Sequence, residues 1–390
     1  MIKPIILISN PGSLSRKYAL FKGDELITTI HFEVIKNTVM YSLGSGDSKL
    51  AKISHITFAS SVLTKILIEN DFLTSVNDIN AVAIRVVAPS EYFQQNRIMN
   101  NIAIGKLKSQ EVTDPIHVNA TLQELYLLER YFPDKKIIGI SDSAYHATMP
   151  VYATTYGIPK DIAKKLNIKR YGYHGISVQS VVNQLEVNGV LNDKIVVCHL
   201  GGGSSVTAVL NGNSIDTTMG YSPLEGIVMS TRSGNIDPSA LNILQDYLKL
   251  SAHNFQDFLY YQCGLKGISG KTGDIRELID FEKKDHDASK LALQVYASSV
   301  QKSIGQMATT LNGIESLIFT GTIGERSYTM RERICQKLQY LGIELNNTRN
   351  KKINLTNKII KTNTSGSPVS IFVVPSNEVN EMNKQCQGFL

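Results

Sequence analysis

One order of elements occurs twice in this chain, about 190 residues apart: apolar strand, small-residue turn, returning strand, glycine turn, third strand. The first copy runs from Ile5-Ile6-Leu7-Ile8 through Asn10-Pro11-Gly12-Ser13 and back along 17–22. Lys22-Gly23-Asp24 then turns it into a third strand at 25–34. The second copy is the apolar strand 194–199, the turn Gly201-Gly202-Gly203-Ser204-Ser205 and the returning strand 206–210, closed by Asn211-Gly212-Asn213 before another strand. This placement points to two duplicated domains, each opening on a β-hairpin, and two such hairpins facing each other would grip a polyphosphate.

The remainder alternates helices and strands, as in an α/β protein. Residues 59–69 carry Val62, Leu63, Ile66 and Leu67 at helical spacing, and 119–131 carry Leu122, Leu125, Leu127 and Leu128. Strands are expected at 80–87, 136–141, 318–320 and 369–374. The domain boundary falls near 143–150, where Asp142-Ser143-Ala144-Tyr145-His146 breaks a strand, and 346–368 reads as an exposed loop region.

With 390 residues, 42% apolar and 19% charged, the chain has material for sizeable cores and is not a disordered protein. No apolar run reaches the ~18–20 residues of a membrane span, and the stretch at 5–8 is too short for a signal-peptide core. Cys198, Cys263, Cys335 and Cys386 are far apart with no CxxC spacing, which argues against a disulfide framework or zinc and for a reducing cytoplasm. The net charge of +6 is scattered. Its densest excess, Arg349, Lys351, Lys352, Lys358 and Lys361, reads as a solvated segment. No nucleic-acid or membrane partner is expected, and mild basicity suits a cleft that collects anions.

The first turn offers Asn10, Gly12, Ser13, Ser15, Arg16 and Lys17, a set able to cradle phosphate or a magnesium-bound water. A Walker A loop is absent, and the strand after Gly201-Gly202-Gly203-Ser204 argues for a hairpin over a Rossmann turn. Arg85 interrupts an apolar strand, where a cation must be paired or face a cleft. Arg232 sits in a polar loop, and the two guanidinium forks fit an anion clamp. His174, between Gly172 and Gly175, reads as an exposed bend with an aimed imidazole. His117 and His146 are less marked, and no HExxH pair exists. Asp142 ends a strand, a position suited to a metal or water ligand. Glu378 follows the last strand, and 318–325 reads as strand, glycine turn and helix, suited to a nucleotide.

Taken in order, these segments resemble the acetokinase family, the acetate kinases, over almost the full length. The likeness is carried by Arg170-Tyr171-Gly172-Tyr173-His174-Gly175, by 199–206, by 220–238 from Gly220-Tyr221 to Asp237-Pro238, by 319–327 and by 142–150. Membership of this family and its superfamily of sugar kinases, heat-shock ATPases and actin implies two duplicated ribonuclease H-like domains with an interdomain active-site cleft. The expected division is 1–144 with 375–390, and 145–374 for nucleotide binding and dimerisation. The resemblance also implies a homodimer and reversible Mg-ATP-dependent phosphorylation of acetate to acetyl phosphate and ADP, with Mn²⁺ as a substitute metal.

Carried over by motif, Asp142, His174, Arg232 and Arg85 would be catalytic. Asn10 and Glu378 would lie at the metal, with Ser13, Ser15 and Lys17 in the phosphate hairpin. His117 would support the transition state beside His174 and Arg232, and Val87, Ile116, Tyr173 and Pro223 would line the acyl pocket with Arg85. The nucleotide would meet Lys17, the run His199, Leu200, Gly201, Gly202 and Gly203, then Asp274, Ile275 and Arg276, and last Gly321, Thr322, Ile323, Gly324 and Glu325. The chain departs from the family pattern at Ile84 and Ala88-Pro89-Ser90, at Gly202 (usually Asn), at Asn235 (usually Asp), and at Ile176 and Val178. Propionate or butyrate kinase is the alternative within the class, with Val87 favouring acetate. A non-catalytic nucleotide-binding relative is the alternative outside it.

Overall fold

The computed structural model describes residues 3–12, 15–111, 115–353 and 358–390, without the side chains of 115–117. Its contacts divide the chain into two compact units, 1–144 with 377–390, and 145–376.

The first unit holds an eight-stranded sheet. Its strands are β1 (Ile5–Pro11), β2 (Ser15–Lys22), β3 (Glu25–Ile35), β4 (Thr38–Leu43), β5 (Lys49–Leu50), β6 (Ala81–Val86), β7 (Arg97–Ile98) and β8 (Lys136–Ser141). The spatial order is β5-β4-β3-β2-β1-β6-β8-β7. β1, β6 and β8 are mutually parallel, while β2 and β3 return antiparallel. Strand alternation sorts the side chains. Leu7, Val82, Ile84 and Val86 join Leu63 and Leu67 of the helix Ser60–Glu69 and Leu125 and Leu128 of the helix Pro115–Tyr131 in one core. Ile6, Ile8, Ala81 and Ala83 alternate with these onto the other face, and the C-terminal helix Glu378–Gln387 packs against β1, β6 and β8.

The second unit repeats the plan with β9 (Lys194–Leu200), β10 (Ser204–Leu210), β11 (Asn213–Thr217), β12 (Ser316–Thr320), β13 (Ile360–Lys361) and β14 (Ser370–Val373). Their order is β11-β10-β9-β12-β14-β13. The core of each sheet therefore follows one plan, β3-β2-β1-β6-β8 in the first and β11-β10-β9-β12-β14 in the second, with the same parallel and antiparallel senses, which bears out the expected duplication. Both faces are covered. Val196, Cys198, Leu317 and Phe319 pack with Tyr296, Val300 and Ile304 of the long helix Asp287–Thr310. Ile195, Val197 and Ile318 pack with Val178, Val181 and Leu185 of the helix Gly175–Val187.

The β10–β11 turn has Asn211 at φ 49 and Gly212 at φ 76, the paired left-handed values of a tight hairpin whose twist matches its strands. The second turn is shorter than expected: Ser204 and Ser205 already pair with Leu200 and His199. The segment 346–368 is not simply an exposed loop. It contains the short helix Asn347–Lys351 and strand β13, and Asn350, Thr362 and Asn363 are buried. Asn350 accepts from Arg331 Nε at 2.7 Å, so a polar composition here serves an internal network. All four cysteines are free thiols. Among the described residues, no helix is long and apolar enough to cross a membrane.

Candidate active site

The candidate side chains gather in each unit where parallel strands end at their carboxyl termini, the position open α/β sheets use for ligands. In the first unit, Asn10 lies at the end of β1 and Arg85 on β6. Asp142 directly follows β8, and Glu378 opens the C-terminal helix. The pleat explains how a cation fits an apolar strand: Ala81, Ala83 and Arg85 share the face turned to that helix, while Val82, Ile84 and Val86 fill the opposite core.

Arg85 Nη2 donates to Asp142 Oδ2 at 2.9 Å, and Arg85 Nη1 is 3.9 Å from Glu378 Oε2 and 3.5 Å from Asn10 Oδ1. Asn10 Nδ2 donates to Glu378 Oε2 at 3.1 Å. Burial alone would lower the pKa of Arg85, but the charges of Asp142 and Glu378 outweigh it and push it up, so this cation persists at every working pH. Arg85 Nε is buried with no hydrogen-bond partner among the described residues.

In the second unit, His174 caps the helix Gly175–Val187 from a left-handed backbone, φ 62. That conformation costs a non-glycine residue about 1–2 kcal/mol. It aims the ring inward, so His174 is buried, not on an exposed bend. Its Nδ1 is 3.0 Å from Ser205 Oγ on β10. The ring lies 4.2 Å, centroid to centroid, from that of His199. His199 Nδ1 is 2.7 Å from Ser177 Oγ, which is 3.1 Å from Ser376 Oγ.

Arg232 Nη1 donates to the Pro223 carbonyl at 3.3 Å, and its guanidinium stands 5.4 Å from the Tyr260 ring centroid. A Cβ on Gly203 would lie 3.1 Å from His174 Nε2 and 3.2 Å from Arg232 Nη1, so the glycine is what lets both approach the turn. Gly202 is exposed and faces open space.

The remaining candidates divide by burial. Lys17 is exposed and Ser15 half-buried, whereas Val87, Tyr173 and Pro223 are buried, with Tyr173 OH donating to the Tyr221 carbonyl at 2.8 Å. Leu200 and Ile275 pack their side chains into the core. Asp274 caps its helix through the Arg276 amide and pairs with the exposed Arg276 side chain, which with that amide bond holds its carboxyl below the usual range. Gly321 starts a short helix at φ 77, where any Cβ would meet the Leu200 carbonyl at 2.7 Å. Thr322, Ile323 and Gly324 continue that helix, and Glu325 Oε1 accepts from the Gly321 amide (3.0 Å) and the Ser376 amide (2.8 Å). Ser13 lies outside the described residues, as do the side chains of Ile116 and His117.

Sequence reading missed the hydroxyls that hold the imidazoles, Ser177 and Ser205, and Ser376 behind Ser177. Their one signal is a hydroxyl near a strand end or on a helix of mixed polar and apolar residues, which is too common to single them out. It also missed Glu225, whose carboxylate takes Arg170 and Tyr156 and pushes the Tyr156 hydroxyl pKa up, after the larger effect of burial.

The acetokinase family profile matches residues 5–383. The acetate kinase of Bacteroides thetaiotaomicron is 33% identical over 385 residues, 96% of each chain. That of Thermoanaerobacterium thermosaccharolyticum is 35% identical over 387 residues, also 96% of each. Among solved structures, Porphyromonas gingivalis acetate kinase superposes with a TM-score of 0.86 at 28% identity, covering 99% of both chains. A propionate kinase from Francisella tularensis superposes with a TM-score of 0.88 at 32% identity, covering 98% of both.

Proposed function

From the premise that this chain belongs to the acetokinase family and is a phosphotransferase of that class, we propose that it moves the γ-phosphoryl group of Mg-ATP directly to acetate, giving acetyl phosphate and ADP, and runs the reverse reaction. The observation that carries the reading is Gly203: with no side chain there, His174 Nε2 and Arg232 Nη1 face one bare turn. Such a pair of donors beside a glycine turn suits the equatorial oxygens of a transferring phosphoryl group.

Acetate is ionised at neutral pH and its oxygen attacks without a general base. The barrier is repulsion between anions and charge building on the phosphoryl oxygens, which positioned cations lower. Arg85 supplies the cation of the first unit's cluster and Arg232 that of the second unit's, and both serve the same transfer. Asp142 is engaged by Arg85, which casts it as an organiser of charge and water, not as the base. His174 donates a hydrogen bond as charge develops, held by Ser205, and His117 supports it. Ser13, Ser15, Lys17, the 199–203 turn and the Gly321–Glu325 helix hold the phosphates, 274–276 hold the adenosine, and Val87, Ile116, Tyr173 and Pro223 enclose the methyl group.

Oxygen donors from one amide and two carboxylates, Asn10, Glu378 and Asp142, fit a hard divalent cation that keeps several waters. Among the described residues there is no group of three or more His, Cys, Asp or Glu placed to hold a metal ion. Bound there, Mg²⁺ (or Mn²⁺) would supply charge neutralisation at the phosphates.

The reading includes a cytoplasmic homodimer. Val151, Tyr152, Ile243 and Tyr247, all at least 72% exposed on short helices of the second unit, supply apolar surface for it. The Francisella tularensis likeness supports propionate as a second acceptor, since one methylene is worth only ~1–3 kcal/mol of discrimination. Trapping acyl phosphate with hydroxylamine, over acetate, propionate and butyrate with Mg-ATP, tests the reading. The most product is expected with acetate. No product with any acid would contradict it and leave a nucleotide-binding protein.

A further inference from the structure

A buried carboxylate lies behind the first hairpin, and the reaction described above makes no use of it. Glu124, fully buried on the helix Pro115–Tyr131, accepts through Oε1 from Ser9 Oγ (2.7 Å), Tyr18 OH (2.9 Å) and Ser60 Oγ (2.6 Å). Its Oε2 accepts from Arg16 Nη1 at 2.9 Å, and Arg16 is only 2% exposed.

The register shows what this network holds. The β1–β2 ladder pairs Ser9 with Tyr18, Asn10 with Lys17 and Pro11 with Arg16. Side chains alternate across a sheet, so Ser9, Tyr18 and Arg16 face Glu124 while Asn10 and Lys17 take the opposite face. On that face Asn10 reaches Glu378. One carboxylate thus grips both strands of the hairpin at the positions flanking Asn10 and Lys17.

A buried ion pair is a poor device for stability alone, since matched apolar side chains often do as well. It does fix direction: four bonds converge from two strands and a second helix, where apolar packing would permit sliding. Phosphoryl transfer is sensitive to such sliding, because misplacing a reacting group by ~1 Å can cost ~10²-fold.

We propose that Glu124, acting with Arg16 and Ser9, is a positioning residue for phosphoryl transfer that sets the hairpin presenting Asn10 and Lys17. The proposal rests on the acetokinase reading above. The test uses the full chain as wild type, Glu124→Gln and the double variant Arg16→Met/Glu124→Gln, reading kcat/KM for ATP, KM for acetate and melting temperature. Glu124→Gln is expected to lower kcat/KM for ATP by about tenfold or more, with the acetate KM within about twofold. The double variant is expected to recover melting temperature, because no buried charge is left unpaired, without recovering kcat/KM.

A folded Glu124→Gln with ATP kcat/KM within about twofold of wild type overturns the proposal, as does a double variant that regains activity together with stability. If Glu124→Gln does not fold, Tyr18→Phe and Ser60→Ala decide. Each removes one donor, and a drop of about threefold or more in ATP kcat/KM at constant acetate KM supports positioning, while no drop overturns it. A wild-type protein that makes no acyl phosphate defeats the acetokinase reading itself, a result distinct from these.

Discussion

The two sheets share one strand order and differ in the chemistry at their carboxyl ends. The first ends in an ionic cluster, with Arg85 between Asp142 and Glu378 and Asn10 beside them. The second ends in glycines, hydroxyls and imidazoles around one guanidinium, with Gly203 against His174 and Arg232. A duplicated fold therefore supplies equivalent places for different residues: those of the first unit hold opposite charges together, and those of the second leave space beside a turn.

The largest effect that would sharpen this contrast is expected from Arg232→Ala, which removes the guanidinium that approaches Gly203. Turnover falls by ~100-fold or more, in line with removing one transition-state donor. Near-wild-type turnover in a folded variant breaks the assignment. Asp142→Asn comes next, because it strips Arg85 of its closest counter-charge without changing shape. A loss of ~10–100-fold in kcat is expected, with Arg85 free to take another partner. Gly203→Ala probes space instead of charge. The added methyl crowds both donors by a few tenths of an ångström, and kcat falls about tenfold. The melting temperature should stay close to wild type, since the crowded groups are side-chain ends. Smallest is Gly212→Ala in the tight turn of the second unit, which lowers stability by ~1 kcal/mol through its positive φ. Activity per folded molecule is unchanged, as denaturant melts paired with steady-state assays would show.

Much of this contrast was legible in the residues. Arg85 was conspicuous because seven apolar residues, 81–84 and 86–88, flank it, and alternation alone demands a partner on its face. The repeated hairpins were visible because Gly23 and Gly212 mark turns that few other residues allow. His174 was found, yet its burial was not: flanking glycines signal a bend but not which way the ring turns, and that follows from φ 62 and the packing of β10. Glu124 was invisible for a related reason. On a helix, a glutamate between Gln123 and Leu125 reads as a solvated residue, and only the tertiary approach of Arg16, 108 positions away, makes it a core residue. The buried Asn350 and Thr362 were lost in a polar stretch in the same way, since composition records polarity but not its partner.

The central claim is that the arginines of the two units serve one transfer. The direct measurement is kcat for Arg85→Ala, Arg232→Ala and the double variant, with acetyl phosphate trapped by hydroxylamine. Groups acting on one transition state are strongly non-additive, so the double variant should be no more than about tenfold slower than the slower single variant. If instead the two losses multiply in full, the arginines act independently and the account is contradicted.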